Sequence, residues 1–198
     1  MFIRNIIKLQ GLSNLPYFTV GNAAEALGIQ TDSASVFCSR YVKAGLLVKL
    51  KNNFYITSQK LESISNDEVL AIANILQVPS YVSFMTALEY YEITTQVQQD
   101  YIENASVKRP AEYDIKGINF RYYKLNKKYY FDFVKTNGIF IATREKAFLD
   151  SVYLYSFGKY KFDLSSLNMD KLDIKRLEGL LKTYPDKTIK IVRKLCRT

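Results

Sequence analysis

Thr31-Asp32-Ser33-Ala34-Ser35-Val36-Phe37-Cys38-Ser39-Arg40-Tyr41-Val42-Lys43-Ala44-Gly45 is the stretch on which the fold turns. Ala34, Phe37, Cys38, Tyr41 and Val42 recur at helical spacing and define one apolar stripe. Ser33, Ser35, Val36, Ser39, Arg40 and Lys43 fall on the opposite face, which carries two cations and no carboxylate after Asp32. Thr31, Asp32 or Ser33 suits the cap of this helix, and Gly45 closes it.

Working outward, Thr19 is a fitting N-cap for a preceding helix over Val20 to Leu27, with Ala23, Ala24 and Leu27 as its packing face and Gly28 just past its end. Only Gly28, Ile29, Gln30 and Thr31 separate the two helices, the short glycine-containing turn of a helix-turn-helix. On the other side, Leu46, Val48 and Leu50 alternate with Leu47, Lys49 and Lys51. Asn52-Asn53 then turns the chain into Phe54-Tyr55-Ile56-Thr57, since asparagine tolerates the positive φ of a two-residue hairpin turn. Two helices and a basic-tipped hairpin read as a winged helix, with a further short helix on Ile3, Ile6, Ile7 and Leu9 to Leu12 ahead of them. Such a unit takes double-stranded DNA as its partner. Gln30, Thr31, Ser33, Ser35, Val36, Ser39, Arg40 and Lys43 would face the major groove, while Lys49, Lys51, Asn52 and Asn53 would lie against flanking phosphates or the minor groove.

Charge agrees with that placement. The chain has 198 residues, 28 Lys+Arg, 19 Asp+Glu and a formal net charge of +9. Residues 1–60 carry a net +5, residues 61–157 a net −2 and residues 158–198 a net +6. Phosphates reward clustered Lys and Arg through counterion release. The absence of histidine excludes histidine triads, histidine general bases and histidine metal ligands. No run approaches the roughly 20 apolar residues of a membrane-spanning helix. The N-terminus lacks a signal-peptide pattern, and two cysteines, Cys38 and Cys196, make no disulfide framework, so a cytoplasmic protein is expected.

The remaining chain reads as a mixed α/β domain over residues 61–198 with C-terminal helices, giving an α+β protein with its boundary at residue 60. A polar linker is expected over 58–66, helices over Asp67 to Leu76, Ser83 to Tyr91 and Arg144 to Tyr155, and strands over Tyr101 to Val107, Ile118 to Leu125 and Ile139 to Thr143. Leu164 to Leu167, Leu172, Ile174, Leu177, Leu180 and Leu181 form a helical apolar pattern broken by Pro185, and Ile189 to Cys196 continues as a basic helical segment.

Candidate chemistry is sparse. Lys146 and Asp150 sit four apart on a helix, the spacing of a surface ion pair worth a few tenths of a kcal/mol, and Glu145 suits the helix start. Asp114-Ile115-Lys116 with Glu103 resembles a nuclease fragment but falls in a turn region. Cys38 reads as a small core residue. Arg121-Tyr122-Tyr123-Lys124 and Lys127-Lys128-Tyr129-Tyr130 mix cations with rings, a pattern of amphipathic strands and of stacking surfaces. No catalytic residue, cofactor site or metal site is assigned.

Two segments resemble the AbiEi antitoxins, transcriptional regulators of type IV toxin–antitoxin systems. Phe18-Thr19, Ala23-Ala24 to Leu27-Gly28, Arg40-Tyr41-Val42-Lys43-Ala44-Gly45-Leu46-Leu47 and Phe54-Tyr55 are similar to that family's N-terminal winged helix. Pro79-Ser80-Tyr81-Val82-Ser83, Ala87-Leu88-Glu89-Tyr90 and Ala142-Thr143-Arg144-Glu145-Lys146-Ala147-Phe148-Leu149-Asp150 are similar to its second domain. Asn53 stands where the family tends to have glycine, and Tyr91-Glu92 where it often has His-Gly. The resemblance implies a repressor of its own operon that binds an inverted-repeat operator, two copies on the DNA, and counteracts a nucleotidyltransferase-like toxin. The alternative is a protein-interaction module whose second domain binds a partner protein, with DNA binding secondary.

Overall fold

The computed structural model describes residues 11–96 and 98–196 of the chain. The helix expected on Ile3 to Leu12 lies outside the described residues except at its end, where residues 11–13 are helical. The protein is α+β, with a three-stranded and a six-stranded sheet among the described residues. It divides into two compact units, Met1–Ile72 and Ala73–Thr198.

In the first unit, strand β1 (Phe18–Thr19) leads into helix α1 (Val20–Leu27), then helix α2 (Thr31–Lys43), strand β2 (Leu47–Lys51), strand β3 (Phe54–Thr57) and a short helix α3 (Ser58–Glu62). Thr19 caps α1 reciprocally: its hydroxyl accepts from the Asn22 amide, and Asn22 Oδ1 accepts from the Thr19 amide. Gly28 ends α1 at φ 66°, a left-handed conformation that costs a residue with a Cβ about 1 kcal/mol. Gln30, rather than Thr31, Asp32 or Ser33, occupies the cap of α2 and makes no side-chain cap bond, so the helix begins one residue earlier than the hydroxyl-bearing residues suggest.

The core of this unit follows the stripe. Ala34 and Cys38 are fully buried and Tyr41 nearly so, against Phe18, Val20, Ala23, Leu47 and Tyr55. The rings of Phe37 and Tyr41 stack with centroids 3.9 Å apart. Strand β3 lies between β1 and β2 and pairs antiparallel with both. A register shift between Lys49 and Lys51 breaks the simple alternation of β2, so that Leu47 and Leu50 are both buried. The first part of the segment expected as a linker, residues 58–62, instead forms α3, where Thr57 caps it through a bond from the Lys60 amide.

Helix α4 (Asn66–Leu76) runs through the division between the units. The second unit then contains strand β4 (Ser80–Val82), helix α5 (Phe84–Tyr90), strands β5 (Tyr101–Ser106), β6 (Ala111–Ile115), β7 (Ile118–Lys124), β8 (Phe133–Thr136) and β9 (Ile139–Ala142), and helices α6 (Arg144–Ser156), α7 (Ile174–Leu181) and α8 (Asp186–Leu195). The sheet order is β6-β7-β5-β4-β9-β8, with β5/β7 and β4/β9 parallel and the other neighbours antiparallel. Helix α6 packs against α5, α7 and α8, and is buried on nearly every side. Glu92, where the resembled family carries glycine, holds φ 56°, so the left-handed turn after α5 forms without a glycine.

Candidate functional site

The outward face of α2 and the β2–β3 hairpin border one groove of about 640 Å³ in the first unit. Seven of the residues singled out from sequence line it: Thr31, Ser35, Ser39, Lys43, Lys49, Asn52 and Asn53. Val20, Asp32, Val42 and Tyr55 complete the lining. Gln30, Ser33, Val36 and Arg40 are exposed on the same helix or its start, outside the lining. Val36 is 51% exposed, a methyl-bearing side chain left in water by the stripe that buries Ala34 and Cys38. Among the described residues, Arg40, Lys43 and Lys49 form no ion pair with a carboxylate, which leaves their charge to the surface.

Two hairpin residues have duties inside the fold. Asn53 takes φ 65° at the turn, and its Oδ1 accepts a hydrogen bond from the Val20 amide at 3.1 Å. The turn is thereby fastened to the first turn of α1, satisfying one of the amides that a helix start leaves without a partner. Lys51 places its ammonium 4.6 Å from the centroid of the Phe54 ring, a cation–π contact across the tip of the hairpin. The sequence marked Asn53 for its turn geometry, and its bond to α1 is a tertiary contact that no local pattern announces.

The second unit carries a different constellation, centred on the two residues whose helical spacing suggested a surface pair. Lys146 and Asp150 do pair, but both side chains are fully buried. Asp150 Oδ2 accepts from the Tyr81 hydroxyl at 2.9 Å and from the Ser83 hydroxyl at 2.8 Å. Lys146 Nζ also donates to the Tyr184 hydroxyl at 3.1 Å and lies 5.2 to 5.8 Å from the ring centroids of Phe131, Tyr81 and Tyr184. Burial raises the Asp150 carboxyl and lowers the Lys146 ammonium from their ordinary values, and the contact between them opposes both shifts. Glu145 accepts from the Asp173 amide and pairs with Arg176 at 3.2 Å, while Arg176 also pairs with Asp132 at 2.6 Å. Every polar group in this constellation answers another side chain or backbone group of the fold.

Asp114 sits on β6 and accepts from the Gly117 amide across the turn. Strand register puts Asp114 opposite Asn119, whereas Glu103 lies in the row of Arg121 and Glu112, so the nuclease-like fragment is not assembled with Glu103. Among the described residues no group of three Asp, Glu, Cys or His side chains is placed to hold a metal ion. Cys38 is buried in the first unit's core, and burial pushes its thiol above the ordinary value.

Compared with known proteins, the chain matches no family model, and no curated protein matches its sequence. No helix among the described residues is long and apolar enough to cross a membrane.

Proposed function

We propose that residues 1–60 are a winged helix-turn-helix that binds double-stranded DNA, and that the chain is a transcriptional regulator of the AbiEi type. The observation that carries this reading is the groove in which Lys43 of the second helix and Lys49 of the hairpin share one surface with Ser35, Ser39 and Asn52. Small polar side chains let a helix approach base edges, and cations on both flanks meet the phosphates of the two strands. Arg40, exposed beside the groove, is the side chain suited to bidentate contact with guanine, and the Val36 methyls suit a thymine methyl. The protein acts in the cytoplasm by occupancy, with two copies on an inverted-repeat operator at its own promoter. The resemblance of residues 79–90 and 142–150 to the second domain of the AbiEi family extends the proposal to a nucleotidyltransferase-like toxin as the protein that this regulator counteracts.

The test is nuclease footprinting of the DNA upstream of the chain's own reading frame. Wild-type protein protects an inverted repeat, and Arg40→Ala loses about 1–3 kcal/mol of discrimination at the base it reads. Absence of a protected site, or an unchanged footprint and affinity in Arg40→Ala and Lys43→Ala together, overturns the assignment of α2 as the recognition helix.

A further inference from the structure

A cavity of about 500 Å³ opens on the six-stranded sheet of the second unit, and its lining includes no residue invoked for DNA. Its walls combine rings and cations. Tyr160 is buried, and its ring stacks on that of Phe162 with centroids 5.5 Å apart and meets Tyr123 edge-on at 5.2 Å. The Arg121 guanidinium lies 5.1 Å from the Tyr123 ring centroid and donates to the Tyr101 hydroxyl at 3.3 Å. Lys159 and Lys161 stand exposed on the lining beside these rings. A second concavity of about 700 Å³ shares Arg121, Tyr123 and Lys159 with the first, which places these three side chains where the two meet.

The floor is rigidly built. Glu103 is 2% exposed and accepts from the Tyr160 hydroxyl at 2.6 Å, the Tyr123 hydroxyl at 3.2 Å and the Met85 amide at 3.0 Å. Its carboxylate is thus occupied in fixing two aromatic walls and is not offered to a ligand. Burial beside Glu103 pushes the Tyr123 and Tyr160 hydroxyls up, so both stay neutral donors. Gln98 lines the same cavity with its Oε1 shielded from solvent and, among the described residues, without a hydrogen-bond partner, an unfavourable state for an amide.

We propose that this cavity binds a nucleotide, its base stacked on the half-buried Phe162 and Tyr101 rings and its phosphate held by Arg121, Lys159 and Lys161. The chemistry selects that class. Aromatic faces take any planar base, because every base presents a π-face to stack on. Arg121 also pairs with the exposed Glu112 at 3.2 Å, and together with Lys159 and Lys161 it still gives a surplus of cations that suits a phosphate rather than a neutral ring. The Gln98 carbonyl turns about its terminal bond to meet an exocyclic amino group, the donor it lacks. The volume falls within the range of pockets that take ligands of this size, about 300–1,000 Å³.

The test is isothermal titration of the full chain with AMP, GMP, CMP and UMP, with the matching nucleosides, and with inorganic phosphate. The expected result is monophosphate binding with a dissociation constant on the order of 10–100 µM, at least about tenfold tighter than either the nucleoside or phosphate alone. Lys159→Ala/Lys161→Ala, at exposed positions that leave the core intact, weakens the monophosphate about tenfold or more and leaves the nucleoside unchanged. Phe162→Ala weakens both. Lys43→Ala/Lys49→Ala, in the other unit, changes neither. The proposal is overturned if no monophosphate binds below about 10 mM, or if nucleoside or phosphate alone binds as tightly. It is equally overturned if binding survives Lys159→Ala/Lys161→Ala and is lost in Lys43→Ala/Lys49→Ala.

Discussion

Replacing Asp150 by Asn is the sharpest probe of the second unit's core. The substitution keeps the shape and, with the amide oxygen at the Oδ2 position, an acceptor for the Tyr81 and Ser83 hydroxyls, but it removes the charge that answers Lys146 and turns an amide NH2 donor toward that ammonium. Lys146 then keeps one hydrogen bond, to Tyr184, and three ring faces, in a site with no access to water. An exposed pair at the same i,i+4 spacing contributes about 0.3–0.5 kcal/mol. Removing one partner of a buried pair costs about 3–5 kcal/mol, because the other charge stays desolvated and uncompensated. Total stabilities run about 5–15 kcal/mol, so the loss is a large share of what this unit has. Lys146→Met/Asp150→Asn removes both charges, and the account predicts recovery of at least about 2 kcal/mol relative to Asp150→Asn alone. With no tryptophan in the chain, tyrosine fluorescence during urea unfolding follows all sixteen tyrosines, among them Tyr81 and Tyr184 beside the pair. A loss below about 1 kcal/mol in Asp150→Asn, or a double variant as unstable as the sum of the singles, refutes the reasoning.

Asn53 separates turn geometry from capping: Asn53→Gly keeps the φ of 65° and loses only the bond to the Val20 amide, whereas Asn53→Ala loses both. Chemical denaturation followed by circular dichroism is expected to place the alanine variant about 1 kcal/mol below the glycine variant, and equal stabilities would contradict a strained turn. Glu68 is held below the ordinary glutamate value of 4.5, first by Lys60 at 2.7 Å and then by the Ser65 amide. A depressed carboxyl contributes stability that is present above its unfolded value and lost as pH falls through its folded value. Glu68→Gln should therefore cost under about 1 kcal/mol at pH 7 and nothing once the pH is well below that range, as measured by urea midpoints at the two pH values.

Which parts of this could be read from the sequence follows from how local their causes are. Thr19 and Gly28 bound α1 as expected, because capping and left-handed termination involve only neighbouring residues. The α2 stripe was legible for the same reason, and its outward face is outward in the structure. Strands β6 and β8 were not, since each is an outer strand of the sheet with a partner on one side only, and each carries polar residues that dilute the alternation. Strand β4 has three residues, and one of its two partners, β9, pairs in parallel from far along the chain. The pairing of Lys146 with Asp150 was visible in their spacing, but not its burial. Helix α6 is enclosed on both its apolar and its charged faces, so the usual equation of charge with solvent fails there. The cavity around Glu103 gathers residues from positions 85 to 162, and only the Arg121-Tyr122-Tyr123 run hinted at it.

The claim that the first unit reads DNA rests on charge at defined positions, and the salt dependence of binding to the footprinted duplex tests it most directly. Lys43, Lys49 and Lys51 on each of two copies would neutralise about six phosphates, giving a slope of log affinity against log salt near −5. Affinity should fall about 10³-fold between 50 and 200 mM salt, and Lys43→Ala should make the slope shallower by about 2 across the two copies. A slope near zero, or one that Lys43→Ala and Lys49→Ala leave unchanged, would rule out DNA binding through these cations.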